Sequence, residues 1–278
     1  MTDTPIRVAY GAATHAGLRR RLNEDAHLAR PPLFLVADGM GGHDFGAVAS
    51  GAVVDEFTVL VGRPSLGIED VRLVLDRARD RVRSIAADGR AAGTTLSGVM
   101  VADVGGTGYW LAVNVGDSRT YRYAAGELVQ ISVDHSVVQE MVDAGELAGE
   151  DAARDRRRNE ITRAIGAGSD GEADFQLVPA EPGDRILVCS DGLSGEVDAD
   201  RIRQVLADVA DPQEAATRLV HEAMVRGGRD NITVVVVDAV EVTGYDDAPY
   251  DTMPAGQDAV AAEPDGDTRP RAGAKGES

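Results

Sequence analysis

The sequence predicts an α+β domain built on antiparallel sheets, and three observations predict it. Short runs rich in β-branched residues recur along the chain, each bounded by Gly or Asp. Longer stretches between them carry apolar residues at spacings of three and four. Strands and helices also come in groups, not in the strict alternation that builds a parallel sheet. The β-like runs are Ile6–Ala13, Leu33–Ala37, Leu96–Val104, Tyr109–Val115, Thr120–Tyr123, Leu128–Ile131, Arg185–Cys189 and Ile232–Val240. Thr120–Tyr123 and Leu128–Ile131 flank the turn Ala124-Ala125-Gly126-Glu127 and read as a hairpin. Val71, Val74, Leu75, Ala78, Val82 and Ile85 form one apolar stripe on a helix. A second helix starts at Asp211 as N-cap, with Pro212 in its first turn, Glu214 completing a capping-box-like pair, and Ala215, Leu219 and Met224 toward its buried side.

Composition sets the limits. The chain has 278 residues, of which 43% are hydrophobic, enough for a sizeable core. With 28 basic and 47 acidic side chains the formal charge is −19, the wrong sign for a nucleic-acid partner or an anionic membrane surface. Cys189 is the single cysteine, which excludes an intrachain disulfide and a cysteine-based zinc site. It falls in a β-like run and reads as a small buried hydrophobe. No apolar run reaches the ~18 residues that span a bilayer, and Met1 leads into no signal-peptide core, so a cytoplasmic protein is expected. Residues 1–242 are expected to form one domain. From Thr243 to Ser278 the chain turns to Gly, Pro, Asp and Ala, which bury too little surface to offset their ordering entropy, so a disordered tail is expected.

The chemistry lies in where the aspartates fall. Asp38-Gly39 closes Leu33–Ala37, Asp191-Gly192 closes Ile186–Cys189, and Asp117 follows Trp110–Gly116. Asp230-Asn231 instead opens the run from Ile232. If that last strand runs antiparallel to its neighbours, all four acids reach one rim, and Asn23-Glu24-Asp25 can join them. A lone Asp-Gly is an ordinary turn, as at Asp88-Gly89 and Asp170-Gly171. Several converging carboxylates are different, because they repel one another unless a cation sits between them. Oxygen donors without His or Cys favour Mg²⁺ or Mn²⁺, and a two-metal oxygen site commonly serves phosphoester chemistry. Uncatalysed phosphate-monoester hydrolysis demands accelerations of up to about 10²¹, against about 10²–10⁴ from general acid–base catalysis.

Eight strings then occur in order: Gly17–Asp25, Val36–His43, Gly93–Leu96, Val115–Arg119, Asp134–Ser136, Ile161–Gly166, Cys189–Leu193 and Arg229–Thr233. Together they resemble the bacterial metal-dependent serine/threonine protein phosphatases of the type 2C class, from about Arg7 to Val240. The resemblance implies a four-layer αββα sandwich, two antiparallel sheets flanked by helix pairs. It implies two Mn²⁺ or Mg²⁺ ions and a weaker third. Asp38 would bridge two ions, Gly39 would offer its carbonyl, and Asp191 and Asp230 would ligate directly. Glu24 and Asp25 would hold ions through water, Asn231 would orient that surround, and Asp117 would serve the third ion. Arg20 would grip the substrate phosphate. The implied reaction is hydrolysis of phosphoserine and phosphothreonine by a metal-activated hydroxide, without a covalent phosphoenzyme. The implied partners are phosphorylated proteins, serine/threonine kinases among them, met by a monomer without membrane insertion.

The chain departs from that pattern at three places. Met40 stands where some eukaryotic members carry a histidine, so the leaving group is expected to take its proton from metal-bound water, with His43 the nearest alternative in sequence. His15 stands where relatives commonly have an acid. The segment Ala152–Asn159 replaces a common His-Pro with Asp155-Arg156, and its charges read either as a solvated face or as a recruiter of acidic substrates. Two other functions compete. A phosphoprotein-binding scaffold would be expected to have lost a ligand, whereas Asp38, Asp191 and Asp230 are all present. A small phosphate ester remains a second substrate class.

Overall fold

Strands buried on both faces read as continuous apolar runs, and the chain pairs such runs into two antiparallel sheets. The structure is a computed structural model that describes residues 4–41, 45–85, 92–148, 151, 155–157, 160–169 and 171–245. One sheet has the strand order β1 (Ile6–His15), β12 (Ile232–Val242), β11 (Arg185–Cys189), β7 (Arg119–Ala124), β8 (Glu127–Gln130). The other runs β10 (Asp174–Pro179), β6 (Thr107–Val115), β5 (Leu96–Val104), β3 (Leu33–Gly41), β4 (Ala92–Thr94), β9 (Ile165–Gly166), with β2 (Asp25–Arg30) also paired to β3.

Alternate side chains of each strand point to opposite faces, and both faces find cover. Phe34 and Val36 of β3 meet Ile186 and Val188 of β11 and Val235 and Val237 of β12 in the core between the sheets. Leu33 and Leu35 face away, against α1 (Phe45–Phe57) and α2 (Ile68–Ile85). Leu187, Cys189, Val234 and Val236 face the other way, against α5 (Ala199–Asp208) and α6 (Pro212–Arg226). The result is the expected helix–sheet–sheet–helix order. Two short helices, α3 (Val137–Asp143) and α4 (Asp191–Ser194), lie at strand ends. No helix among the described residues is long and apolar enough to cross a membrane.

The α2 stripe is buried at Val71, Val74, Leu75, Ala78 and Val82. Asp211 caps α6, its carboxylate accepting from Glu214 N at 2.8 Å, and Pro212 opens the helix. β7 and β8 pair as the predicted hairpin, and Ala125 and Gly126 both take positive φ, as a two-residue turn demands. The structure adds what the pattern did not reveal: α1, α5, and strands β2, β4, β9 and β10. α1 is built from Gly, Ala and Val, buried at Gly46, Ala49, Ser50, Ala52, Val53, Val54 and Phe57, so no polar face marks its period. β3 also runs past Ala37 to Gly41, which places Asp38 inside the strand instead of after it. Backbone pairing extends one residue beyond Val242: Thr243 N donates to Pro5 O at 2.8 Å, and Gly108 N donates to Thr243 O at 3.0 Å. Residues 246–278 lie outside the described residues.

Candidate metal centre

Antiparallel pairing is what gathers the acids. β11 runs toward the rim and ends at Cys189, and β12 leaves from that rim, with Cys189 paired to Val234. Asp191, the first residue of α4, and Asp230, just before β12, therefore share one end of the sheet. In the facing sheet Asp25 and Asp38 are register partners on β2 and β3. Asp117 sits in the turn between β6 and β7. Arg20, Glu24, Asp38, Gly39, Asp117, Asp191, Asp230 and Asn231 line one cavity of about 280 Å³. Asp25 stands behind it: Ser190 Oγ donates to its Oδ2 at 2.8 Å, while its buried Oδ1 has no partner.

Buried hydroxyls and amides fix these positions. Asp38 N donates to Thr95 Oγ1 and Thr95 N donates to Asp38 O, both at 2.9 Å, while Thr94 Oγ1 also donates to Asp38 O. Thr95 Oγ1 shares a 2.8 Å hydrogen bond with Ser118 Oγ, which ties the Asp38 strand to the Asp117 turn. Asn231 holds the loop of Glu24: its Oδ1 accepts from Glu24 N at 2.9 Å, and its Nδ2 donates to Ala16 O and Leu22 O. Gly39 must be glycine, since a Cβ there would lie 2.3 Å from the carbonyl oxygen of Gly46 in α1. His15 accepts from Gly17 N through Nδ1 at 2.9 Å, shaping the turn that leads to Arg20.

The electrostatics are those of an under-neutralised acid cluster. Burial, then Asp25, Asp191 and Asp117, push the Asp38 carboxyl well above the usual range. Burial raises Asp117 to about 7, with Asp191 and Asp134 adding to it. Burial raises Asp25 to about 6 against the hydrogen bonds of Thr233 and Ser190. Asp191 is raised by burial and Asp230, while its hydrogen bond with Asp38 and the charge of Arg20 pull the other way. Arg20 is the cation at the rim. Its Nη2 donates to Asp230 Oδ2 at 2.7 Å and its side chain is 52% exposed.

Among the described residues no three His, Cys, Asp or Glu side chains are already drawn together around a point that could hold an ion. The donor set nevertheless fits hard divalent cations: it is all oxygen, mutually repelling, and includes the unpartnered Asp25 Oδ1. A larger cleft of about 680 Å³ adjoins the cavity and shares Met40 and Ile161 with it. Its remaining wall includes Arg163, Ser169 and Glu172. His43 and most of Ala152–Asn159 lie outside the described residues. Within that segment Arg157 Nη2 pairs with Asp155 Oδ2 at 2.9 Å. Thr94, Thr95, Ser118 and Ser190 carry the site's scaffolding although the sequence assigned them no role. Their signal was their place in the strings Gly93–Leu96, Val115–Arg119 and Cys189–Leu193.

A family model described as protein phosphatase 2C matches residues 18–226. A serine/threonine protein phosphatase of Mycobacterium tuberculosis, PstP, is 38% identical over 248 residues, covering 87% of this chain and 47% of that protein. The chain thus spans about half the length of that relative. A serine/threonine phosphatase of Listeria monocytogenes is 34% identical over 244 residues, covering 81% of this chain and 93% of that protein. Among solved structures, the M. tuberculosis phosphatase superposes with a TM-score of 0.79 at 35% identity, covering 84% of this chain and 99% of that one. The PstP catalytic domain in complex with two manganese ions gives a TM-score of 0.76 at 34% identity, covering 84% of this chain and 99% of that one.

Proposed function

The chain belongs to the protein phosphatase 2C family, and from that premise we propose that it hydrolyses phosphoserine and phosphothreonine in proteins. The observation that carries the proposal is the convergence of Asp38, Asp117, Asp191 and Asp230, from four separate segments, on one cavity with Arg20 at its edge. Asp38, the Gly39 carbonyl, Asp191 and Asp230 would hold two Mn²⁺ or Mg²⁺ ions, Asp117 a third, and Glu24 and Asp25 would act through water. Bound there, such ions supply Lewis acidity toward water and neutralise charge on the phosphoryl oxygens.

The chain's own residues do the rest. Arg20 is half exposed and presents a fork of donors that matches two oxygens of a phosphate. Its bond to Asp230 keeps that fork at the cavity until a phosphate arrives. Asn231 holds the loop of Glu24 at the rim through one hydrogen bond to Glu24 and two to Ala16 and Leu22, which limits reorganisation when charge develops. The adjoining 680 Å³ cleft offers room for residues flanking the phosphorylated one, which favours a peptide over a small ester. The enzyme would act as a monomer on phosphorylated proteins, serine/threonine kinases among them. The test is Mn²⁺-dependent phosphate release from a phosphothreonine peptide by wild type and Asp191→Asn, beside a panel of small esters. Release by wild type and its loss in the variant are expected. No release with Mn²⁺ would overturn the reading, and equal release by the variant would overturn the metal assignment.

A further inference from the structure

One buried residue joins the Asp117 turn to the wall of the larger cleft. His135 is 4% exposed and holds Gly116 from both sides. His135 N donates to Gly116 O at 2.9 Å, and Gly116 N donates to His135 Nδ1 at 3.2 Å. Gly116 lies at φ +100°, in the region open to glycine, and a Cβ there would come within 2.6 Å of Thr95 Cγ2. The turn therefore needs the residue type with the most backbone freedom, directly before Asp117, and His135 removes that freedom.

The same ring reaches the other way. A backbone N–H can only donate, so Nδ1 is the acceptor and the ring proton sits on Nε2. Nε2 lies 3.1 Å from Asp174 Oδ2 on β10 and donates to it, while Arg163 Nη1 stands 3.3 Å from the same nitrogen. Arg163 Nη1 donates to Asp174 Oδ1 at 3.2 Å, and Arg163 lines the larger cleft. Thr162 N donates to His135 O at 2.8 Å, and Ser136 bridges Ile161, which with Met40 is common to both cavities. One imidazole thus has its first nitrogen on the acid rim and its second on the pair that shapes the substrate wall.

We propose that His135 is a positioning residue: Nδ1 fixes the peptide that aims Asp117 into the metal cavity, and Nε2–H, through Asp174, sets Arg163 in the neighbouring cleft. The inference rests on the phosphatase reading for its substrate arm, while its rim arm stands on geometry alone. Two replacements separate the arms, because the Asn side-chain oxygen falls near the place of Nδ1 and the Gln amide nitrogen near the place of Nε2. Mn²⁺ binding to the purified chain is followed by titrating free Mn²⁺ through its paramagnetic resonance, together with kcat and KM for a phosphothreonine peptide.

His135→Gln loses the Gly116 bond. Its weakest class of Mn²⁺ sites should loosen about 10-fold, the worth of one buried hydrogen bond, with kcat falling and KM within about twofold. His135→Asn keeps that bond and loses Asp174, so Mn²⁺ binding should stay within about twofold of wild type while KM rises about 5- to 10-fold. Asp174→Asn, at a half-exposed side chain that does not risk folding, should reproduce the His135→Asn pattern. The proposal is overturned if both His135 variants shift Mn²⁺ binding equally, or if they lower only the melting temperature. It is also overturned if Asp174→Asn leaves KM unchanged. A wild type that binds Mn²⁺ yet releases no phosphate would count against the phosphatase reading, and the Mn²⁺ titration of His135→Gln would still decide the rim arm.

Discussion

Two regions of this molecule treat buried carboxylates in opposite ways. On the helical face, Glu222 of α6 is 8% exposed and takes three arginines: Arg201 Nη2 at 2.6 Å, Arg218 Nε at 3.0 Å, and Arg226. Those bonds hold its carboxyl down to about 2. At the rim, Asp25, Asp38, Asp117, Asp191 and Asp230 share Arg20 as the cation among them, and Asp25 and Asp117 are pushed up to about 6 and 7. Arg119, whose charge also reaches Asp117 and Asp191, is bonded to Asp134 through Nε and Nη2. The difference separates structure from chemistry. The helical-face acid is neutralised by the chain itself, whereas the rim acids are left short of positive charge, as the proposed ion site requires.

The sharpest way to break the comparison is to remove one rim acid. Asp38→Asn deletes the carboxylate that Asp25, Asp191 and Asp117 all oppose. Mn²⁺-dependent phosphatase activity should fall by at least about 10³-fold, since a charge that stabilises the transition state carries several kcal/mol. The metal-free variant should instead melt higher than wild type by a few degrees, because like-charge repulsion and desolvation are relieved. Calorimetry on chelated protein checks the second outcome. A variant that lost activity and also melted lower would place Asp38 with Glu222, as a structural acid.

Arg20 comes next. Replacing its charged fork should raise KM for a phosphopeptide about 10- to 100-fold in Arg20→Ala, the worth of a charge-assisted pair of hydrogen bonds. Arg20→Lys should recover only part of the loss, because an ammonium offers a point charge where two oxygens call for a fork. Equal KM in all three proteins would leave Arg20 as nothing more than the partner of Asp230.

Much of this contrast was legible before the structure, for a physical reason. A carboxylate at the end of an apolar run is conspicuous, so Asp38, Asp117, Asp191 and Asp230 announced themselves. The double-sided strands β3, β11 and β12 and the stripe of α2 did the same. The hydroxyls that aim those acids did not, because Thr95, Ser118 and Ser190 are as ordinary in a turn or strand as in a scaffold. His135 was visible only within the string Asp134–Ser136, since its ring partners Gly116, Arg163 and Asp174 lie 19, 28 and 39 residues away in sequence. β2 stayed hidden because Asp-Ala-His-Leu-Ala-Arg buries little beyond Leu28. α1 stayed hidden because small residues cover it on all sides.

The pH dependence of the metal-free chain should carry the rim's signature. Asp25 and Asp117 have folded values near 6 and 7, above the ordinary carboxylate value of 3.8. Between those limits the folded chain binds more protons than the unfolded one, so stability falls as pH rises through about 6 to 7. Chelated protein should therefore melt a few degrees higher at pH 5.5 than at pH 8. Saturating Mn²⁺ should reverse that order, since ions displace the same protons and bind less well in acid. Identical profiles with and without Mn²⁺ would mean that the rim acids are not the groups that meet the metal.

The smallest effect belongs to the helical face and has the opposite sign. Glu222 has a depressed value, so its stabilisation is present above the ordinary glutamate value of 4.5 and is lost as pH falls toward about 2. Its arginines reach well into solvent, with Arg218 53% exposed, which screens the pairing. Glu222→Gln should therefore cost only about 1 kcal/mol at neutral pH, or about 2–4 °C in melting temperature, and nothing near pH 2. Mn²⁺ affinity and kcat should not move, because no ion and no substrate oxygen draws on that carboxylate. A change in either would show that the two regions are coupled through α6 and β12, and the division of labour between paired and unpaired acids would no longer hold.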